Sequence, residues 1–168
     1  MAEFSAVTRV WDQSIAPFCG IGRLRFGMSK ADVRSLLGRP EKEFVRDPVF
    51  APDRIEWIYD DGRAFVAFNG SGTCDEIMLC PPADPRLEGV RLLAAGAVEV
   101  WSAVRRLDRN AFVDGPGCLT SLLYGVNVHA PDVGTEFEEP DAAALSVLLF
   151  SDPDDERLRP QTRRKKQG

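Results

Sequence analysis

His129 is the one histidine in this chain of 168 residues, so any general-base or nucleophilic chemistry built on imidazole must be built around it. Such a base needs a nucleophile and an orienting acid converging from elsewhere in the fold. Asp132 is near in sequence, but His129 ends an expected strand, where neighbouring side chains face opposite sides, and it reads as a structural histidine. Four cysteines, Cys19, Cys74, Cys80 and Cys118, offer neither a zinc spacing nor a partner histidine, because Cys74 and Cys80 are six apart. They are expected to be buried free thiols rather than disulfides. The carboxylate pairs Asp60-Asp61 and Asp75-Glu76, and the acids from Asp152 to Glu156, fall in or beside expected turns, where solvated acids are ordinary. Gly20-Ile21-Gly22 and Gly70-Ser71-Gly72 lack the strand-turn-helix setting and the further glycine of a phosphate cradle. The expectation is a non-catalytic chain with no cofactor and no metal.

The elements that must position these residues are clearer than the chemistry. Residues 26 to 38 spell a short amphipathic helix. Ser29 can cap its N-terminus, and Asp32, three residues on, can reach back in a capping box. Val33, Leu36 and Leu37 form one apolar stripe, Gly38 suits the left-handed position after the helix, and Pro40 forbids its continuation. A fainter copy follows 67 residues later, with Leu93, Gly96, Val100, Ala103 and Val104 standing where Phe26, Ser29, Val33, Leu36 and Leu37 stood.

Two halves follow from this repetition. After the first helix come Ile55 to Tyr59, an Asp-Gly turn, Ala64 to Phe68, a second turn, and Glu76 to Cys80. After the second helix, Ala97 to Leu107, come Leu119 to Leu123, Gly125 to His129, a long acidic loop, and Ala144 to Phe150. The expected fold is therefore α+β: two repeats of a helix followed by a three-stranded antiparallel meander, with the helices packed on one face of the sheet. The divisions are an N-terminal helical segment over 1–19, a first repeat over 20–83, a second over 84–153 and a basic disordered tail over 154–168. Val7, Val10, Trp11 and Ile15 are spaced for a helix, and Pro81 to Pro85 make a stiff joint. Arg46 to Asp53 reads as an ordered loop whose Val49 and Phe50 need burial.

The net charge of −5 conceals an asymmetry. Arg157, Arg159, Arg163, Arg164, Lys165 and Lys166 close the chain, and the remaining 15 cations against 26 acids leave residues 1–156 at −11. So acidic a body repels nucleic acid and attracts basic surfaces. No apolar run is long enough to cross a bilayer, and the first residues lack a basic n-region followed by an apolar stretch, so a cytoplasmic protein without a membrane partner is expected.

The run Phe26-Gly27-Met28-Ser29-Lys30-Ala31-Asp32-Val33-Arg34-Ser35-Leu36-Leu37-Gly38 with Pro40 resembles the helix motif of small repeat modules. These include the beta-lactamase-inhibitor-protein-like fold and the small lipoproteins of outer-membrane assembly. It is similar, more closely, to that of cytoplasmic immunity proteins from bacterial polymorphic toxin systems. The resemblance spans Gly20 to Ser151 and implies a toxin inhibitor without catalytic residues. Its partner would be a cognate protein toxin, basic on charge grounds and suited to a nuclease. Trp57 and Tyr59 share one face of their strand and are either core or the anchors of a recognition surface. With them, Asp60, Asp61, Asp75, Glu76, Glu136, Glu138, Glu139 and Asp141 make the expected partner-binding set, the acids acting as rim and steering charges or simply as solubilising groups. An intracellular assembly adaptor and a small hydrolase or ligand-binding enzyme are the alternative readings. Oligomeric state is not legible from the sequence.

Overall fold

Alternation of apolar and polar residues puts most of the regular structure of this chain into strands. The computed structural model describes residues 8–114, 117–131, 133 and 142–152. The elements begin with α1 (Thr8–Trp11), β1 (Ile15–Ala16), β2 (Gly20–Ile21), β3 (Leu24–Arg25) and α2 (Lys30–Leu37). Next come β4 (Lys42–Asp47), β5 (Ala51–Tyr59), β6 (Ala64–Phe68) and β7 (Cys74–Leu79). The small hairpin β8 (Arg86–Leu87) and β9 (Val90–Arg91) precedes α3 (Ala97–Leu107). The chain closes with β10 (Phe112–Val113), β11 (Cys118–Ser121), β12 (Val126–His129) and β13 (Ser146–Phe150).

The expected α+β fold of two helix-plus-three-strand repeats is corrected. Among the described residues the fold is mostly β, with strand residues far outnumbering helical ones and only two helices longer than one turn. Its main feature is one eight-stranded antiparallel sheet in the order β10-β11-β12-β13-β7-β6-β5-β4. The expectation missed β4 and β10 because Lys42–Asp47 is charged at four of its six positions, with only Phe44 and Val45 apolar, and Phe112–Val113 is only two residues long. The N-terminal helix is also shorter than its spacing suggests. Val7 lies outside the described residues, α1 is a single turn, and Ile15 pairs with Ile21 in a small sheet of β1, β2 and β3.

Register assigns every strand residue to one of two faces. One row runs Tyr59, Ala64, Leu79, Val147, Val128, Leu119, and a neighbouring row runs Trp57, Val66, Ile77, Leu149, Val126. These inner rows are buried and join Val33 and Leu37 of α2 and Val100 and Val104 of α3 in one core. The two halves share that core because β7 and β13 pair directly, Leu79 opposite Val147 and Ile77 opposite Leu149.

The helix ends are fixed locally. Ser29 Oγ accepts the Asp32 N–H at 3.2 Å and Asp32 Oδ2 accepts the Ser29 N–H at 3.0 Å, which completes the capping box, and Gly38 closes α2 at φ 84°. α3 has no side-chain cap at Gly96. Its C-terminal Asp108 is buried and ties the helix to the sheet, accepting from Ser121 Oγ at 2.6 Å and from the Asn110 N–H at 2.9 Å. Leu37 is 4% exposed. Leu37→Ala should lower the unfolding free energy by about 2–5 kcal/mol in a urea titration, and a loss under about 1 kcal/mol would contradict its place in the core.

Candidate functional site

The face turned away from the helices carries the other half of each strand. One row crosses the whole sheet: Lys42, Ile58, Phe65, Met78, Leu148, Asn127, Thr120 and Phe112. Ile58, Phe65, Met78 and Leu148 are half-buried, contiguous over four strands, and stand apart from the helix-side core. The adjacent row runs Phe44, Glu56, Ala67, Glu76 and Phe150. Two of its members are carboxylates with only 5% and 6% exposure, Glu56 and Glu76. Buried charge requires partners, and they come from β4 and β5.

Arg54 is the centre of that pairing. Its Nη1 donates to Asp75 Oδ2 at 2.9 Å and its Nη2 to Glu76 Oε2 at 3.0 Å. Arg46 donates through Nη1 to Glu76 and lies 3.4 Å through Nε from Glu56 Oε2. Consecutive residues such as Asp75 and Glu76 should face opposite sides of a strand. A register shift between Ala67 and Phe68 relieves this: Ala67 pairs with Glu76 and Phe68 with Cys74, which leaves Asp75 as the extra residue of a bulge. Both carboxylates therefore reach one guanidinium. Arg54 Nε and Asp75 Oδ1 are buried with no hydrogen-bond partner, so the clamp carries a desolvation cost as well as its gains.

The sequence-expected residues separate into three groups. Asp75 and Glu76 belong to this outer-face network. Asp60 and Asp61 sit in the turn after Tyr59, at φ 55° and 52°, at the opposite end of the β5–β6 hairpin from Asp75. The Asp61 N–H is held by the Glu41 carboxylate at 3.1 Å. Glu136, Glu138, Glu139 and Asp141 lie outside the described residues.

Trp57 and Tyr59 must be corrected as surface anchors, because both are core, at 0% and 3% exposure. Trp57 packs edge-on against Phe68, lies under the Arg34 guanidinium at 5.0 Å, and donates its indole N–H to Glu43. Burial pushes the Tyr59 hydroxyl up to about 12, against a smaller lowering by Arg34, and that hydroxyl donates to the Gly38 carbonyl at 3.4 Å. Their shared strand parity was legible; which face the helices would cover was not.

Two further findings were not anticipated. His129 is directly opposite Cys118 across β11 and β12, a histidine-thiol pair on the outer face. Burial raises the Cys118 thiol, the Asp114 carboxylate adds to the rise, and a hydrogen bond with Asn127 offsets part of it. Such a thiol stays protonated, the opposite of what an activated nucleophile needs. All four cysteines are free. Only Cys74 is fully buried, its thiol pushed up to about 12 by burial with a contribution from Asp75, whereas Cys19 is exposed. Among the described residues no group of His, Cys, Asp and Glu is arranged to hold a metal ion. No helix among them is long and apolar enough to cross a membrane.

Comparison with protein-family models, curated proteins and solved structures finds no match to this chain.

The clamp makes two expectations measurable. Arg54→Ala strands buried carboxylates and should cost roughly 3–5 kcal/mol in a denaturant titration, more than Arg46→Ala, whose side chain is 36% exposed against 11%. Glu56 is raised by burial, pulled back by Arg46, raised further by Glu76 and lowered again by Arg54. A carboxyl whose folded pKa lies above its unfolded value favours folding while protonated, and that contribution is lost as pH rises through the folded pKa. Glu56→Gln should thus gain stability relative to the parent as pH rises above the ordinary carboxylate range, followed by thermal melting. A relative loss over that range would show that ion pairing outweighs desolvation at this site.

Proposed function

We propose that this chain is a non-catalytic binding protein that neutralises a cognate toxin enzyme with a basic surface by tight association through the outer face of its sheet. The observation that carries the reading is the transverse row Ile58, Phe65, Met78 and Leu148, half-buried, set beside the ion-paired Glu56, Asp75 and Glu76. A sheet face that serves only solubility alternates with polar side chains. A contiguous apolar row bordered by charge has the anatomy of a protein interface, with an apolar centre and a polar rim.

Charge indicates the partner's sign. Residues 1–156 carry −11, which favours a cationic surface and speeds its encounter. Burial raises the Cys118 thiol opposite His129, which disfavours a thiolate nucleophile there. The resemblance of the Phe26 to Pro40 motif to immunity proteins supplies the toxin as the partner class.

The test is to recover the partner from the native cell and express it alone and together with this chain. The expected partner is a basic protein that arrests growth alone and is tolerated when co-expressed. Its association rate should fall steeply as salt rises, and reversing Glu136, Glu138 and Glu139 to Lys should slow it at low salt and hardly at high salt. An acidic or harmless partner, or a rate indifferent to salt and to the reversals, would overturn the proposal.

A further inference from the structure

The β4–β5 hairpin ends in an arrangement that folding alone does not explain. Val49 is 77% exposed and Phe50 88% exposed, so the apolar pair expected to be buried stands at the tip in solvent. The tip is held rigidly. Asp47 Oδ1 accepts the N–H of Val49 at 3.0 Å and that of Phe50 at 2.9 Å, closing the turn with its own side chain. Pro48 and Pro52 flank the pair and restrict the backbone on both sides. Below the tip, Arg46 from one strand and Arg54 from the other are tied to Glu56, Asp75 and Glu76, which fixes both legs of the hairpin to the sheet.

An exposed phenylalanine leaves a large apolar surface in water, which burial against a partner would remove. Here it is also displayed on a preorganised turn, which removes much of the ordering cost of binding. Below it, on the two legs of the hairpin and on the neighbouring β7, lie two guanidinium groups, Arg46 and Arg54, and five carboxylates, Asp47, Asp53, Glu56, Asp75 and Glu76, a net charge of −3. That charge opposes docking on a second copy of this chain and on an anionic lipid surface, and it favours a cationic one.

We infer that Val49 and Phe50 are the apolar anchor of this chain, seating in an apolar pocket with a cationic rim on a basic partner protein. The inference rests on the binding role proposed above and names the contact that dominates it. The outer-face row then makes the broader surrounding contact, and the acids at the base of the hairpin meet the cationic rim. Central aromatic anchors of this kind are typical of residues that carry most of an interface's energy.

Position-specific photo-crosslinking in the native cell tests this. A benzophenone side chain is placed at Phe50, at Met78 in the middle of the outer face, and at Leu123, another exposed apolar residue. The expected result is an adduct from position 50 to one basic protein identified by mass spectrometry, and none from position 123. With that protein purified, Phe50→Ser and Val49→Ser together should weaken binding by at least about 30-fold, and Leu123→Ser should leave it unchanged. Because both tip side chains are already in solvent, the double variant should melt like the parent. An adduct from Met78 alone, or full affinity in the tip variant, overturns the anchor and leaves the binding role standing. An adduct to a second copy of this chain overturns the basic partner. No adduct from either Met78 or Phe50 overturns both the anchor and the binding role.

Discussion

A β-strand cannot give the same side chain to both faces of its sheet, and the organisation of this protein follows from that constraint. Once α2 and α3 cover one face, Trp57 and Tyr59 on β5 belong to the core and Glu56 and Ile58 belong to the other side. The alternation holds through eight strands, so one face gathers most of the fully buried apolar residues and the other a mixture of half-buried apolar and charged ones. The bulge at Asp75 is the useful exception, because it turns two consecutive acids toward one arginine.

That clamp links packing to function. Arg54 lies on β5 and its two carboxylate partners on β7, so the ion pairs span β6 and lock the β5–β6–β7 meander. Arg46 extends the same network to β4, the edge strand. An edge strand with exposed backbone is free to twist or peel unless something holds it. Here the side chains hold it, and the hairpin tip beyond it is presented in one geometry.

The helices and most inner strands were legible in the sequence because their signals are local. Ser29, Asp32 and Gly38 announce the limits of α2, and the apolar runs at Ala64–Phe68 and Ser146–Phe150 mark central strands. β4 was hidden because an edge strand with charged residues has no apolar run to betray it, and Pro48 in the turn after it and Pro52 near the start of β5 read as loop. The outer face was hidden for a different reason. Which side of Trp57 is covered depends on where α2 docks, and the pairing of Arg54 with Asp75, 21 residues on, and with Glu76 depends on a register shift between β6 and β7. Of the described acids expected at the site, only Asp75 and Glu76 share a network, and no spacing rule singled them out from Asp60 and Asp61.

The account's central claim is that the ion-pair clamp preorganises the exposed hairpin tip, and amide hydrogen exchange tests it most directly. In the parent protein the Val49 and Phe50 amides, both held by Asp47, should exchange slowly for a solvent-exposed turn. In Arg54→Met, measured under conditions where the chain stays folded, those two amides should lose their protection while the α2 amides keep theirs. Fast exchange at the tip of the parent, or a tip unchanged by loss of Arg54, would contradict the account.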